Sequence, residues 1–154
     1  MRRIGTIFMQ ALPLLIIVNV ICGCSGNSRR DGQSHKSKAV QAKLDTPITL
    51  AFSKIASVED EKILIEFADL TEDSRCPVNV TCVWEGQVTV ALNISLDGTE
   101  SGSLNLTSRA GHEKLAIADI EGYSIRLAKV EPPKTRDEID FSEYIITLII
   151  SKIQ

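Results

Sequence analysis

The stretch "QVTVALNISL", Gln87–Leu96, alternates without error: Val88, Val90, Leu92, Ile94 and Leu96 point one way, and Gln87, Thr89, Ala91, Asn93 and Ser95 the other. A period of two with one wet face describes a strand lying over a core. The same even parity runs back through Val80, Cys82 and Trp84, which places a cysteine and the indole on the core side of one pleat. From residue 80 to 96 that pleat would span about 56 Å, too long for the domain. Gly86 is the expected bulge or bend.

Comparable alternation recurs on both sides. "ITLAF" puts Ile48, Leu50 and Phe52 on one face, "KILIEFADL" puts Ile63, Ile65 and Phe67 there, and "SLNLTS" adds Leu104 and Leu106. Asp97 with Gly98 is a strong hairpin signal. "KLAIADI", "YSIRLAKV" and "YIITLIIS" follow, and the last, apolar on both faces, suits a central strand. Only "KTRDEIDFSEY", after Pro132 and Pro133, offers a short helical turn. About seven strands at short spacing predict an all-β fold, an antiparallel immunoglobulin-like sandwich or a small barrel.

The N-terminus decides how the four cysteines are counted. Arg2 and Arg3 precede an apolar run from Ile7 to Ile21, broken by Gln10, Pro13 and Asn19. This is the plan of a secretory signal, without the unbroken span of about 20 apolar residues that a transmembrane helix needs. "ICGC", Ile21–Cys24, resembles the lipobox of bacterial lipoproteins. The resemblance implies a signal peptide over 1–23, diacylglycerol on Cys24 and, with Ser25 next, an outer-membrane location facing the periplasm or the cell surface. Two or three acyl chains, each methylene contributing about 0.8 kcal/mol, anchor stably where one holds only marginally.

With Cys22 removed and Cys24 acylated, Cys76 and Cys82 remain in a compartment that permits disulfides. Zinc would need about four ligands, and neither His35 nor His112 stands at ligand spacing from the pair. A redox pair is more naturally C-x-x-C. The expectation is a disulfide over a short loop. Residues 24–44, with Arg29, Arg30, Lys36, Lys38 and Lys43 against Asp31, read as a basic tether reaching about 25 Å. Residues 45–154 read as one domain, with ten Lys and Arg against nineteen Asp and Glu, a net charge of −9. That excess of acid disfavours nucleic acid as a partner.

Asp73, Ser74, Arg75, Cys76 and Pro77, then Cys82, Val83, Trp84 and Gly86, followed by an alternating strand, resemble a group of small secreted bacterial proteins and lipoproteins sharing D-S-R-C-P…C-V-W-x-G. That resemblance implies a repeated structural device and lends no catalytic residue. Catalysis finds little support elsewhere: His112 stands in a polar segment without a partner, and Ser74 has no base near it in sequence. Glu72 with Asp73 and Asp137 with Glu138 are carboxylate pairs, but acidic surface loops of this kind are common.

No cofactor is required by the sequence. Calcium is the candidate metal, with Asp69, Glu72 and Asp73 as hard oxygen ligands and Glu59, Asp60 and Glu61 a strand length away. Asp73 and Arg75 are expected to pair with each other or with the turn, for about 1 kcal/mol at most if exposed. Sugar stacking would need exposed rings, yet the parity turns Phe52, Phe67, Trp84, Tyr123 and Tyr144 inward and leaves Phe141 outside. The interaction candidates are therefore Asp73, Arg75, Val78 and Asn79 in one loop and Phe141 in another. The functional expectation is a lipid-anchored envelope module that binds a partner or plays an accessory role without catalysis. The alternative is a protease-inhibitor-like or calcium-dependent factor presenting the 76–82 loop.

Overall fold

The computed structural model describes residues 38–135 and 138–154. Nine strands follow one another: β1 Val40–Ala42, β2 Ile48–Ala51, β3 Ile55–Val58, β4 Ile63–Asp73, β5 Val88–Leu96, β6 Thr99–Ser108, β7 Ile117–Ile120, β8 Tyr123–Glu131 and β9 Ile145–Lys152. They form two sheets, in the orders β1-β3-β4-β5-β6 and β2-β9-β8-β7. The sheets are stacked as an open sandwich and do not close into a barrel. Its connections are two meanders, β3 to β6 and β7 to β9, with a parallel contact where β1 joins β3.

Alternation explains the core. Val88, Val90, Leu92 and Ile94 of β5 are buried, as are Ile63, Ile65 and Phe67 of β4, and the opposing layer brings Leu50, Ile125, Ile146 and Leu148. β9 lies centrally, between β2 and β8, as its two apolar faces require. The Asp97-Gly98 turn has φ of 52° and 79°, the paired positive values of a two-residue hairpin that matches strand twist.

β4 runs to Asp73 and changes register twice against β5, between Phe67 and Asp69 and between Leu70 and Glu72. Each shift moves the inward position by one residue. The inward series is therefore Phe67, Leu70, Asp73, paired with Leu92, Val90 and Val88. Two bulges thus return the last residue of the strand, a carboxylate, to the face that looks at the other sheet.

Three expectations change. Nine strands replace about seven, because β1 and β3 are three and four residues long and bury the small Ala42 and Ala56, which leave little periodic signal. β1 also falls inside the segment read as tether, so the sheet begins before residue 45. A 3₁₀ turn at Glu113–Ala116 takes up the start of "KLAIADI", while the turn expected near Phe141 is found at Phe141–Glu143, with Asp140 accepting from the Ser142 amide at 2.8 Å. The signal, Cys24, most of the tether, Arg136 and Asp137 lie outside the described residues.

Burial makes the core prediction concrete. Phe67→Ala should lower stability by about 3–5 kcal/mol, whereas Val83→Ala, in an exposed loop, should stay within about 0.5 kcal/mol of the parent. Urea unfolding of both variants measures the difference.

Candidate functional site: the disulfide-stapled loop

Between β4 and β5 the chain leaves the sheet as a loop whose two stems stay paired. The Ser74 amide donates to Gln87 O at 2.8 Å, the Gln87 amide to Ser74 Oγ at 3.2 Å, and the Cys76 amide to Glu85 O at 3.2 Å. Gly86 lies where the stems touch, with φ +68°. A Cβ there would collide with the Ser74 carbonyl and come within 2.9 Å of Arg75 Cα. Only glycine meets both demands. Beyond the stems, the Cys76–Cys82 disulfide closes the tip, and the Val80 amide donates to Pro77 O at 3.2 Å within it.

Beneath the loop sits a partly buried ionic network. Asp73 accepts from Arg75 Nε at 2.8 Å, from Arg75 Nη2 at 2.7 Å and from the Tyr144 hydroxyl at 2.7 Å. Arg75 Nη1 donates to Val130 O at 3.1 Å, and Lys134 Nζ to Asp73 O at 2.7 Å. The side chains of Asp73 and Arg75 are 8% and 17% exposed, so the pair forms largely out of solvent. Burial pushes the Asp73 carboxyl up, but hydrogen bonds from Arg75 and Tyr144 and the guanidinium charge outweigh it and hold the group below its usual range. Burial, then Asp73, push Tyr144 up to about 12. Glu72, on the outside, is lowered by hydrogen bonds from Gln87 Nε2 and Ser74 Oγ.

The tip points outward. Val83 is 93% exposed, Trp84 78% and Val78 67%, with Asn79, Val80 and Cys82 exposed beside them. Trp84 and Val83 wall a cleft of about 480 Å³ that Ser74, Glu85, Gly86, Gln87 and Arg109 complete. The Val78 amide donates to Lys134 O at 2.9 Å, which fastens the tip to the segment between β8 and β9.

This arrangement corrects the inward parity expected for Val80, Cys82 and Trp84. Parity holds only along a continuous strand; Gly86 ends β5's pleat at a positive φ, and the short disulfide ring turns what precedes it. Of the interaction candidates, Val78 and Asn79 are presented, Phe141 is half-exposed and stacked on Phe52 at 5.6 Å, and Asp73 and Arg75 face inward as supports. The calcium candidates do not converge: Asp69 accepts from the Leu70 amide, Glu72 from Ser74 and Gln87, and Asp73 from Arg75 and Tyr144. Among the described residues no three His, Cys, Asp or Glu side chains gather as a metal site would need. His112 precedes the first 3₁₀ turn and lines a separate shallow cleft with Gly111, Glu113, Lys114 and Leu115.

Sequence reasoning missed Tyr144 and Lys134 as supports and Val83, Trp84 and Arg109 as cleft walls. One signal was present: from Cys76 to Trp84 nine successive residues carry no charge, in a domain dense with charge. No protein-family model matches the chain, and no curated protein or solved structure matches it.

The Asp73 carboxyl is lowered in the folded state, so its contribution is complete above about pH 4 and is lost as pH falls through the folded value. Asp73→Asn should therefore cost about 3 kcal/mol at pH 7, and the gap to the parent should narrow on titration below pH ~4. Urea midpoints at pH 7 and pH ~3 provide the check. Reduction of Cys76–Cys82 should lower stability by roughly 2 kcal/mol on the chain-entropy account of so short a loop. Thermal melts with and without a reductant would show it, and unchanged melts would contradict it.

Proposed function

We propose that this protein is a lipid-anchored module of the bacterial cell envelope, held in the outer membrane through Cys24, that acts by binding through its stapled loop and has no catalytic activity of its own. The observation that carries the binding role is the pairing of rigidity with exposure. Trp84 and Val83 stand in solvent on a loop fixed by a disulfide, two paired stems, a Gly86 crossing and a buried ion pair. Full burial of one such side chain would contribute roughly 1.5–3 kcal/mol, so fixing it outside the core leaves that free energy for a contact. Preorganisation lowers the entropy lost on binding, and tryptophan and arginine are enriched where interfaces concentrate their energy. The signal and lipobox residues, Arg2 to Cys24, support the anchoring half of the proposal.

A second reading, an inhibitor-like loop placed in the groove of an envelope protease, is favoured by one observation: Val78 and Asn79 project outward, as a loop entering a cleft requires.

Intact mass of the membrane-extracted protein should show residues 1–23 absent and a lipid on Cys24; an unmodified thiol there contradicts the anchor. For binding, a photo-crosslinking residue at position 83 in the native envelope should capture a defined neighbour. The same residue at Glu121, exposed in the β7–β8 turn, should not. Equal capture at both sites removes the stapled loop as the contact.

A further inference from the structure

The five most exposed large apolar side chains of the described residues are Val78, Val80, Val83, Trp84 and Phe141. All five belong to one end of the sandwich. Four are in the stapled loop, and Phe141 opens the 3₁₀ turn that leads into Tyr144, whose hydroxyl is bonded to Asp73 beneath that loop. A domain of net charge −9 thus carries at this end an apolar run without charge, residues 76–84, which the exposed Glu85 closes.

Strand direction says which surface that tip meets. β1 is parallel to β3, and its register runs from Val40 opposite Ala56 to Ala42 opposite Val58. Ala56 in turn lies opposite Ile65 of β4, and β4 proceeds from there to Asp73 and the stapled loop. β1 therefore runs away from the stapled end, and Val40, its first residue, is the one nearest that end. Along β5 the level of Val40, at Ile94, and the level of Asp73, at Val88, are separated by about 20 Å. The sixteen residues from Cys24 to Val40 could reach roughly 55 Å when extended. The stapled end can rest on the surface that holds the lipid with chain to spare.

We infer that the stapled loop is a second membrane contact, in which Trp84 and Val83 enter the interfacial layer of the bilayer that carries the lipid anchor and set the orientation of the domain upon it. The inference rests on the anchoring proposed above and names the partner of the same loop. Indole rings settle at the headgroup level, where an apolar body and a polar N–H are both accommodated. Arg109, exposed in the cleft beside Trp84, is placed to meet headgroup phosphate. The acidic domain makes no demand for anionic lipid, so the contact depends on apolar insertion and is nearly insensitive to salt. The acyl chains hold the protein at the bilayer, and a shallow apolar insertion beside them fixes the orientation of the domain.

Trp84 is the single tryptophan of the chain, so its emission reports this contact alone. Full-length protein purified from membranes is incorporated into phosphatidylcholine vesicles, with or without bromine near the top of the acyl chains. Brominated lipid should quench the emission roughly twofold, as burial of about 5–10 Å predicts. Val83→Asp, at a side chain free in solvent, should abolish most of that quenching while leaving the melting temperature unchanged. Equal emission in both vesicles, with free quenching by iodide, overturns the inference. Capture of a protein rather than lipid at position 83 would then assign the loop to a protein groove. Intact mass of the same preparation judges the anchor separately: a lipidated, unquenched protein keeps the anchor and loses the second contact. A quenched protein without lipid does the reverse.

Discussion

The Asp73 carboxylate is the constraint on which the stapled end depends. It stands at the end of β4, facing the other sheet, and a charge in that position is tolerated only when its partners are complete. Arg75, two residues on, supplies two donors, and Tyr144, just before β9, supplies a third. Arg75 reaches on to the carbonyl of Val130 in β8, and Lys134 returns to the carbonyl of Asp73. Both sheets and the first turn of the loop therefore meet at one group. The two bulges of β4 gain their meaning here, since with only one of them Asp73 would face solvent and Tyr144 would lose its acceptor.

The opposite end has a related clasp but a different surface. Glu61, between β3 and β4, accepts from the Tyr123 hydroxyl and from Lys152 Nζ, again joining one sheet to the other through a phenol and a carboxylate. Around it lie Lys62 paired with Asp97 and the two-residue turn of β5–β6. Charge covers that end. The stapled end pairs Asp73 with Arg75 beneath the loop and places Val78, Val80, Val83 and Trp84 above them, with Glu85 and Arg109 exposed at the cleft beside the indole.

Much of the fold was legible because burial on a sheet leaves a period of two. β5, β9 and the Asp97-Gly98 hairpin are read from their own residues alone. β1 and β3 were not, because strands of three or four residues with alanine inside carry too few positions to show a period. The functional end was legible in its parts and misread in its geometry. The two cysteines were expected to pair and do so, and the Asp73–Arg75 pair is present. Their burial depends on Tyr144 and Val130, far along the chain, which spacing within the motif cannot disclose. Trp84 was misplaced for a simpler reason: alternation was carried through Gly86, although a glycine at a positive φ resets which way the next side chain points.

The staple and the ion pair divide the work between them. The stems are held by the Ser74–Gln87 and Cys76–Glu85 hydrogen bonds, the Gly86 crossing and Asp73, none of which uses sulfur. Beyond the stems, Pro77 to Val83 keep few bonds: the Val78 amide to Lys134, the Val80 amide to Pro77 and the disulfide itself. The side chains of Val78, Val80 and Val83 in this segment stand in solvent rather than in the core. An unconstrained loop with these residues would collapse its valines and indole onto the nearest apolar surface, because burial is favourable and non-directional. The disulfide removes that freedom locally, while the ion pair fixes the platform beneath. The platform beneath the loop therefore depends mainly on Asp73, and outward display of Trp84 and Val83 depends mainly on Cys76–Cys82. That separation lets the tip vary in sequence without disturbing the sandwich below it.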